Sequence, residues 1–208
     1  MRTERDVNIL RFVEAHGSIT INQCSNMFFN KNIYGYDQAR KRLSSLKKEG
    51  FIKRYRKDPR TESVYYLEKP LKIHDLKLLD VYTKVYNSFE ITFYKRELKL
   101  DIEDKLFKQL NRSYIIDAVM SIERKIPLLL EIDYTHYTSL DKIKEVVQFY
   151  ENKNNRRHVF IVVKFTQIEI QKFKVCDMSD LYFVPWNLEG LSDILTSLRS
   201  DIDNNTYR

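Results

Sequence analysis

The chain has 208 residues, is 43% hydrophobic with four Gly and four Pro, and carries a formal net charge of +7 at pH 7. That composition suits a well-ordered globular protein of one or two domains and excludes a low-complexity chain. Charge is lopsided: residues 1–70 hold 15 Lys+Arg against 8 Asp+Glu, while residues 71–208 hold 21 of each.

In chain order, Thr3 with Asp6 three residues on predicts a helix start, and Val7, Ile9, Leu10 and Val13 give an apolar stripe that ends at His16-Gly17. Ser18-Ile19-Thr20 reads as a link. A second helix is expected over Ile21–Phe29, with Ile21, Cys24 and Phe28 on one side. The third is expected over Tyr36–Glu49, stopped by Gly50, with Ala39, Leu43 and Leu46 on its apolar face. Asp37, Lys41, Ser44, Ser45 and Lys48 lie opposite, with Arg40 and Arg42 on the flanks. Beyond Gly50 the period turns extended: 51–56 and 63–67 read as two strands joined by a turn over 57–62.

Three helices and a basic hairpin make a winged helix-turn-helix, and "ARKRLSSLKKEGFIKR" (39–54) resembles the recognition helix and first wing strand of winged-helix DNA binders. Ten bases between Arg40 and Arg60 face only Glu49 and Asp58, a field that attracts a polyanion such as duplex DNA. A helix fits the major groove. Gln38 can pair with adenine there, and Lys41 and Arg42 can read guanine or hold phosphate. Tyr34, Tyr36, Arg40, Ser44, Ser45 and Lys48 are further candidates on the helix. Arg54, Arg56, Lys57 and Arg60 are candidates for phosphate or minor-groove contact on the wing.

Residues 71–208 are expected to form a second domain, separate from 1–70. Its elements are a helix over 71–86, a strand over 89–94, a short helix over 103–110, strands over 114–122 and 127–134, a helix over 139–151 and a strand over 158–165. A helix near 167–173, a strand over 181–184 and a helix over 188–198 complete it. The order helix, three strands, helix, strand is that of the restriction-endonuclease-like αβββαβ core, so the fold class is α/β (α+β). Asp117 lies mid-strand, and Glu131 and Asp133 share one face of the next strand. Three such carboxylates can converge on Mg²⁺, the one cofactor in question, and activate water against a phosphodiester. Lys142 and Lys144 are the nearest lysines to assist. A restriction-type nuclease usually carries Lys two residues after the acid, and here that position is Asp133.

With its winged helix, lone Asp, "ϕϕxExD" strand (ϕ apolar) and helix ending in Tyr, the chain resembles the replication-relaxation family of plasmids, phages and integrative elements over residues 5–165. The resemblance implies Asp117, Glu131 and Asp133 as the site, Tyr150 as a helix-to-sheet contact, and a role in replication or mobilisation; transcription control is a further role expected of a DNA binder. Two functions stay open: a DNA-binding protein whose second domain serves dimerisation or regulation, and a metal-dependent endonuclease or nicking enzyme. Expected partners are double-stranded DNA, a second copy of the chain, and replication or conjugation proteins. No apolar run reaches the roughly 18 residues of a membrane span, and MRTERDVNIL lacks an apolar signal segment, so a cytoplasmic location is expected. Cys24 and Cys176 fit no metal or redox spacing and read as small buried hydrophobes. Trp186 is expected in the core.

Overall fold

The computed structural model describes residues 3–102, 112–123, 126–154, 158–166, 169–176 and 179–204. Two capping boxes set the start of the chain. Thr3 and Asp6 bond each other's side chain and backbone at the head of α1 (Glu4–His16), and Thr20 and Gln23 do the same at the head of α2 (Ile21–Phe28). Each box satisfies two backbone N–H groups that a helix start otherwise leaves without a partner. Gly17 ends α1 at φ 90°, a conformation that favours glycine. The third helix, α3 (Gly35–Lys48), begins on a glycine for a steric reason: a Cβ there would lie 2.6 Å from the Phe29 carbonyl oxygen.

Ser18–Thr20 is a strand, β1, rather than a link. It pairs antiparallel with β3 (Val64–Tyr66), which also pairs with β2 (Lys53–Tyr55), giving a three-stranded sheet in the order β1-β3-β2. Under it, Ile9, Val13, Ile19, Cys24, Ala39, Leu43, Leu46, Ile52 and Tyr65 form one buried core. Burial raises the Cys24 thiol to about 12, so it stays a protonated, small apolar group. The side chain of Cys176 lies outside the described residues.

The chain divides into two compact units, residues 1–87 and 88–208, rather than at 70. The cause is α4 (Ile73–Ser88), which packs on the first unit. Its Tyr82 ring lies 6.0 Å from Phe12 and 4.7 Å from His16, and its Leu76 carbonyl and Asp80 carboxylate accept from the buried Gln23 amide. Counted this way, the first unit carries 18 Lys+Arg against 10 Asp+Glu, and the second 18 against 19.

The second unit is built on a six-stranded mixed sheet, β4-β5-β6-β7-β9-β8. The strands are β4 (Ile91–Ile102), β5 (Arg112–Ile122), β6 (Ile126–Asp133), β7 (His158–Lys164), β8 (Gln171–Cys176) and β9 (Ser179–Pro185). The first three run antiparallel, β6-β7 and β7-β9 parallel, and β8 antiparallel on β9. Between β6 and β7 the chain crosses over as α5 (Leu140–Asn154), and α6 (Leu191–Asp203) follows β9. Ile143, Val146, Val147 and Tyr150 of α5 pack into a core with Val119, Leu129, Phe160 and Val162. Tyr150 thus makes a helix-to-sheet contact, 5.8 Å from the His158 ring.

Two sequence expectations change, and a third is untested. β4 runs on to Ile102, beyond the strand expected over 89–94, because it pairs with β5 along its length. The short helix expected over 103–110 lies outside the described residues. Residues 171–176 form strand β8, not a helix, where Phe173 packs edge-on to Phe183 at 5.6 Å. Among the described residues, no helix is long and apolar enough to cross a membrane.

Candidate nucleic-acid interface and carboxylate cluster

On α3 the buried stripe Ala39, Leu43, Leu46 fixes which side faces out. At 100° per residue, Lys41 and Lys48 fall about opposite that stripe, and both are exposed. Tyr34 (66% exposed) and Tyr36 (45%) flank the helix start, and Gln38 is half-buried beside them. Arg40 bonds Asp37 at 3.2 Å in an exposed pair, and Ser45 donates to Glu49 at 2.8 Å. β2 offers Lys53, Arg54 and Tyr55, all exposed. Lys41, Lys47, Lys48, Lys53, Arg54, Lys57 and Arg60 form no ion pair among the described residues.

Two of the expected DNA-contacting arginines are instead held by the protein. Arg42 adjoins Leu43 at the edge of the apolar stripe, and its guanidinium makes a two-pronged pair with buried Asp6 of α1. That hydrogen bonding outweighs burial and lowers the Asp6 carboxyl to about 2. Asp6 also caps α1 through Thr3, so one carboxylate fixes both a helix start and the seating of α3. Arg56 donates to the carbonyls of Thr61 and Pro59, while Asp58 accepts from the backbone of Arg60 and Thr61. These bonds shape the hairpin and leave Lys57 and Arg60 exposed at its tip.

In the second unit Asp117, Glu131 and Asp133 come from neighbouring strands β5 and β6, as expected. Asp117 Oδ2 accepts from the Ile132 N–H at 2.7 Å. Glu131, buried, meets the Lys142 ammonium at 2.7 Å, an ion pair that leaves Oε1 without an aligned hydrogen bond, and Thr138 Oγ1 reaches its Oε2 at 3.3 Å. Asp133, also buried, accepts from the Thr138 N–H at 2.9 Å and its hydroxyl at 2.6 Å. Its other oxygen pairs with Lys164, its register partner on β7. Burial first, then the Asp117 charge, pushes Glu131 up to about 7 against the opposing pull of Lys142.

A hard divalent cation requires several oxygens turned toward it. Among the described residues no three His, Cys, Asp or Glu side chains are grouped so as to hold a metal ion. The expected metal set of Asp117, Glu131 and Asp133 is instead interlocked with a backbone N–H and two ammonium groups, and does not fit Mg²⁺. Of the two expected lysines, Lys142 joins the cluster and also donates to the Ile115 carbonyl at 2.7 Å. Lys144 is exposed and joins neither acid. Sequence reasoning missed Lys164 and Thr138. A lysine ending the otherwise apolar run HVFIVVK was the available signal, since its stem is half-buried and its charge calls for a partner.

No family model matches the chain, and no curated protein matches it. Among solved structures it is similar to the crystal structure of protein VC1899 from Vibrio cholerae, at 10% sequence identity and a TM-score of 0.40. The match covers 93% of this chain and 50% of that one, so the chain spans half the length of the protein it resembles.

Proposed function

We propose that the chain binds double-stranded DNA through its first unit, used as a winged helix-turn-helix with α3 as recognition helix and the β2–β3 hairpin as wing. The order α1-β1-α2-α3-β2-β3 with a β1-β3-β2 sheet supports this use. One observation carries the reading: Lys41, Lys48, Lys53, Arg54, Lys57 and Arg60 are exposed on α3 and the hairpin, with no protein carboxylate pairing them among the described residues. Unneutralised charge on elements fixed by a buried core keeps its attraction for phosphate.

In this reading Lys41, Ser45 and Lys48 enter the major groove, with Gln38, Tyr34 and Tyr36 at the leading end. Arg54, Lys57 and Arg60 contact phosphates. Arg40 exchanges its exposed Asp37 pair, worth little in water, for phosphate. Arg42 and Arg56 position the helix and the wing. A homodimer on inverted half-sites belongs to the proposal as the usual pairing of winged-helix proteins, transcription control as a use of such DNA binding, and a role in replication or mobilisation of a mobile element through the replication-relaxation resemblance. The second unit is read as a nuclease-like core serving dimerisation or regulation. The endonuclease reading is not favoured, because both buried carboxylates of β6 are held by lysines. Fluorescence anisotropy with duplexes from the DNA flanking its own gene tests the proposal. Affinity should fall steeply with salt and weaken on Lys41→Ala; salt-independent or absent binding would refute it.

A further inference from the structure

Ile33 is the most exposed large apolar side chain among the described residues, at 91%, and Tyr34 next to it in sequence is 66% exposed. Single exposed apolar residues are ordinary on a protein surface, but these two are presented on a braced turn. The Asn32 N–H donates to the Phe29 carbonyl at 3.0 Å, and the Gly35 N–H donates to the Asn32 carbonyl at 2.9 Å. Inside the turn, the Tyr34 N–H donates to Asn32 Oδ1 at 2.8 Å. Gly35 then passes so close to the Phe29 carbonyl that no Cβ would fit. The backbone is thus tied on both sides of Ile33, while its aliphatic side chain stands in water and adds nothing to the buried core.

The place of this turn gives the pair a use. The Gln38 N–H donates to the Tyr34 carbonyl at 3.0 Å, so Tyr34 opens the hydrogen-bond ladder of α3. Tyr34, Lys41 and Lys48 recur every seven residues, close to two helical turns, and therefore fall in one row. That row lies opposite the buried stripe Ala39, Leu43, Leu46. The apolar turn continues the cationic row at its N-terminal end, the end that a recognition helix brings to base edges. An ammonium group suits phosphate or a base acceptor. An isoleucine makes no hydrogen bond and gains only by covering another apolar group. Base-pair edges in the major groove present donors, acceptors and one apolar group, the C5 methyl of thymine.

We propose that Ile33, with Tyr34 beside it, is a specificity-determining contact that packs on the C5 methyl of a thymine in the major groove. The proposal rests on duplex binding by the first unit and adds which base is selected at the leading end of α3.

Deoxyuridine pairs as thymidine does and lacks only that methyl, so it isolates the contact. The probes are duplexes that the full chain itself selects from a random-sequence pool, remade with uracil replacing each thymine in turn and read by fluorescence anisotropy. At one thymine of each half-site, the replacement should weaken wild-type binding by about 4-fold, the worth of one buried methyl group. Ile33→Ala should bind the thymine and uracil forms of that duplex equally, and Ile33→Val should keep the preference. Lys41→Ala should weaken both forms by the same factor and leave their ratio unchanged. Thermal melting of the Ile33 variants should match the wild type, because the side chain touches so little. A wild type indifferent to uracil at every position would overturn the proposal, as would an Ile33→Ala variant that still prefers thymine. In either case salt-dependent duplex binding would stand. Failure to select any duplex would remove the reading of the first unit as a DNA binder, and this contact with it.

Discussion

Lysines near the two groups of polar residues are used in opposite ways. On α3 and the β2–β3 hairpin, Lys41, Lys48 and Lys53 face solvent with no ion pair among the described residues. In the second unit Lys142 and Lys164 are closed onto Glu131 and Asp133. An ammonium bonded to a buried carboxylate is neutralised locally and serves cohesion, whereas one on an anchored helix without a partner projects its field outward. The contrast recurs between neighbours in sequence: Lys41 faces outward, and Arg42 is tied to Asp6. Counting bases along a chain therefore overstates its binding surface, and each must be assigned to an inner or outer partner.

Charge reversal should separate the units most sharply. Lys41→Glu/Lys48→Glu/Arg54→Glu is expected to weaken duplex binding by at least ~100-fold, since each lost phosphate contact removes on the order of 1 kcal/mol and each new carboxylate repels. Its melting temperature should stay near that of the wild type. Retained binding would mean the outward bases are not the contact surface.

Next in size is the inner pair. Asp6→Ala leaves Arg42 partly buried without its partner and should destabilise the first unit by about 2–4 kcal/mol in denaturant unfolding. Because the folded carboxyl is lowered to about 2 from 3.8, its contribution is present above about pH 4 and is lost as pH falls toward 2. Arg42→Ala should lower stability similarly while leaving the affinity of the folded fraction near wild type. An affinity loss at unchanged stability would return Arg42 to the DNA surface.

Glu131 has the opposite sign. Its folded carboxyl is raised to about 7 from 4.5, so it adds stability below about pH 4.5 that is lost as pH rises through 7. Glu131→Gln should make the second unit more stable above pH 7, by on the order of 1–2 kcal/mol, and flatten that part of the pH profile. Destabilisation by Gln at pH 8 would show that the Lys142 pair outweighs burial. The smallest effect is expected for Lys41→Ala, about 1 kcal/mol of duplex affinity with no change in unfolding.

Local chemistry made much of this legible from residues alone. The Thr3–Asp6 cap, the His16-Gly17 stop and the Ala39, Leu43, Leu46 stripe are short-range signals, and the structure carries all three. The Glu131-x-Asp133 spacing announced two carboxylates on one strand face. What escaped depends on distant pairing. Ser18–Thr20 becomes a strand only because Val64–Tyr66 lies beside it. Lys164 meets Asp133 only through the β6–β7 register. Arg42 looked like its neighbour Lys41 until α1 supplied Asp6, and α4 read as part of the second unit until Tyr82 met Phe12 and His16.

The most direct test of the central claim is duplex affinity of the full chain against salt concentration, for wild type and for Lys41→Glu/Lys48→Glu/Arg54→Glu. The account predicts a steep linear fall of log K with log salt for the wild type, with a slope of several phosphate contacts, and little measurable binding for the variant. Equal affinities for the two proteins, or a wild-type affinity indifferent to salt, would contradict it.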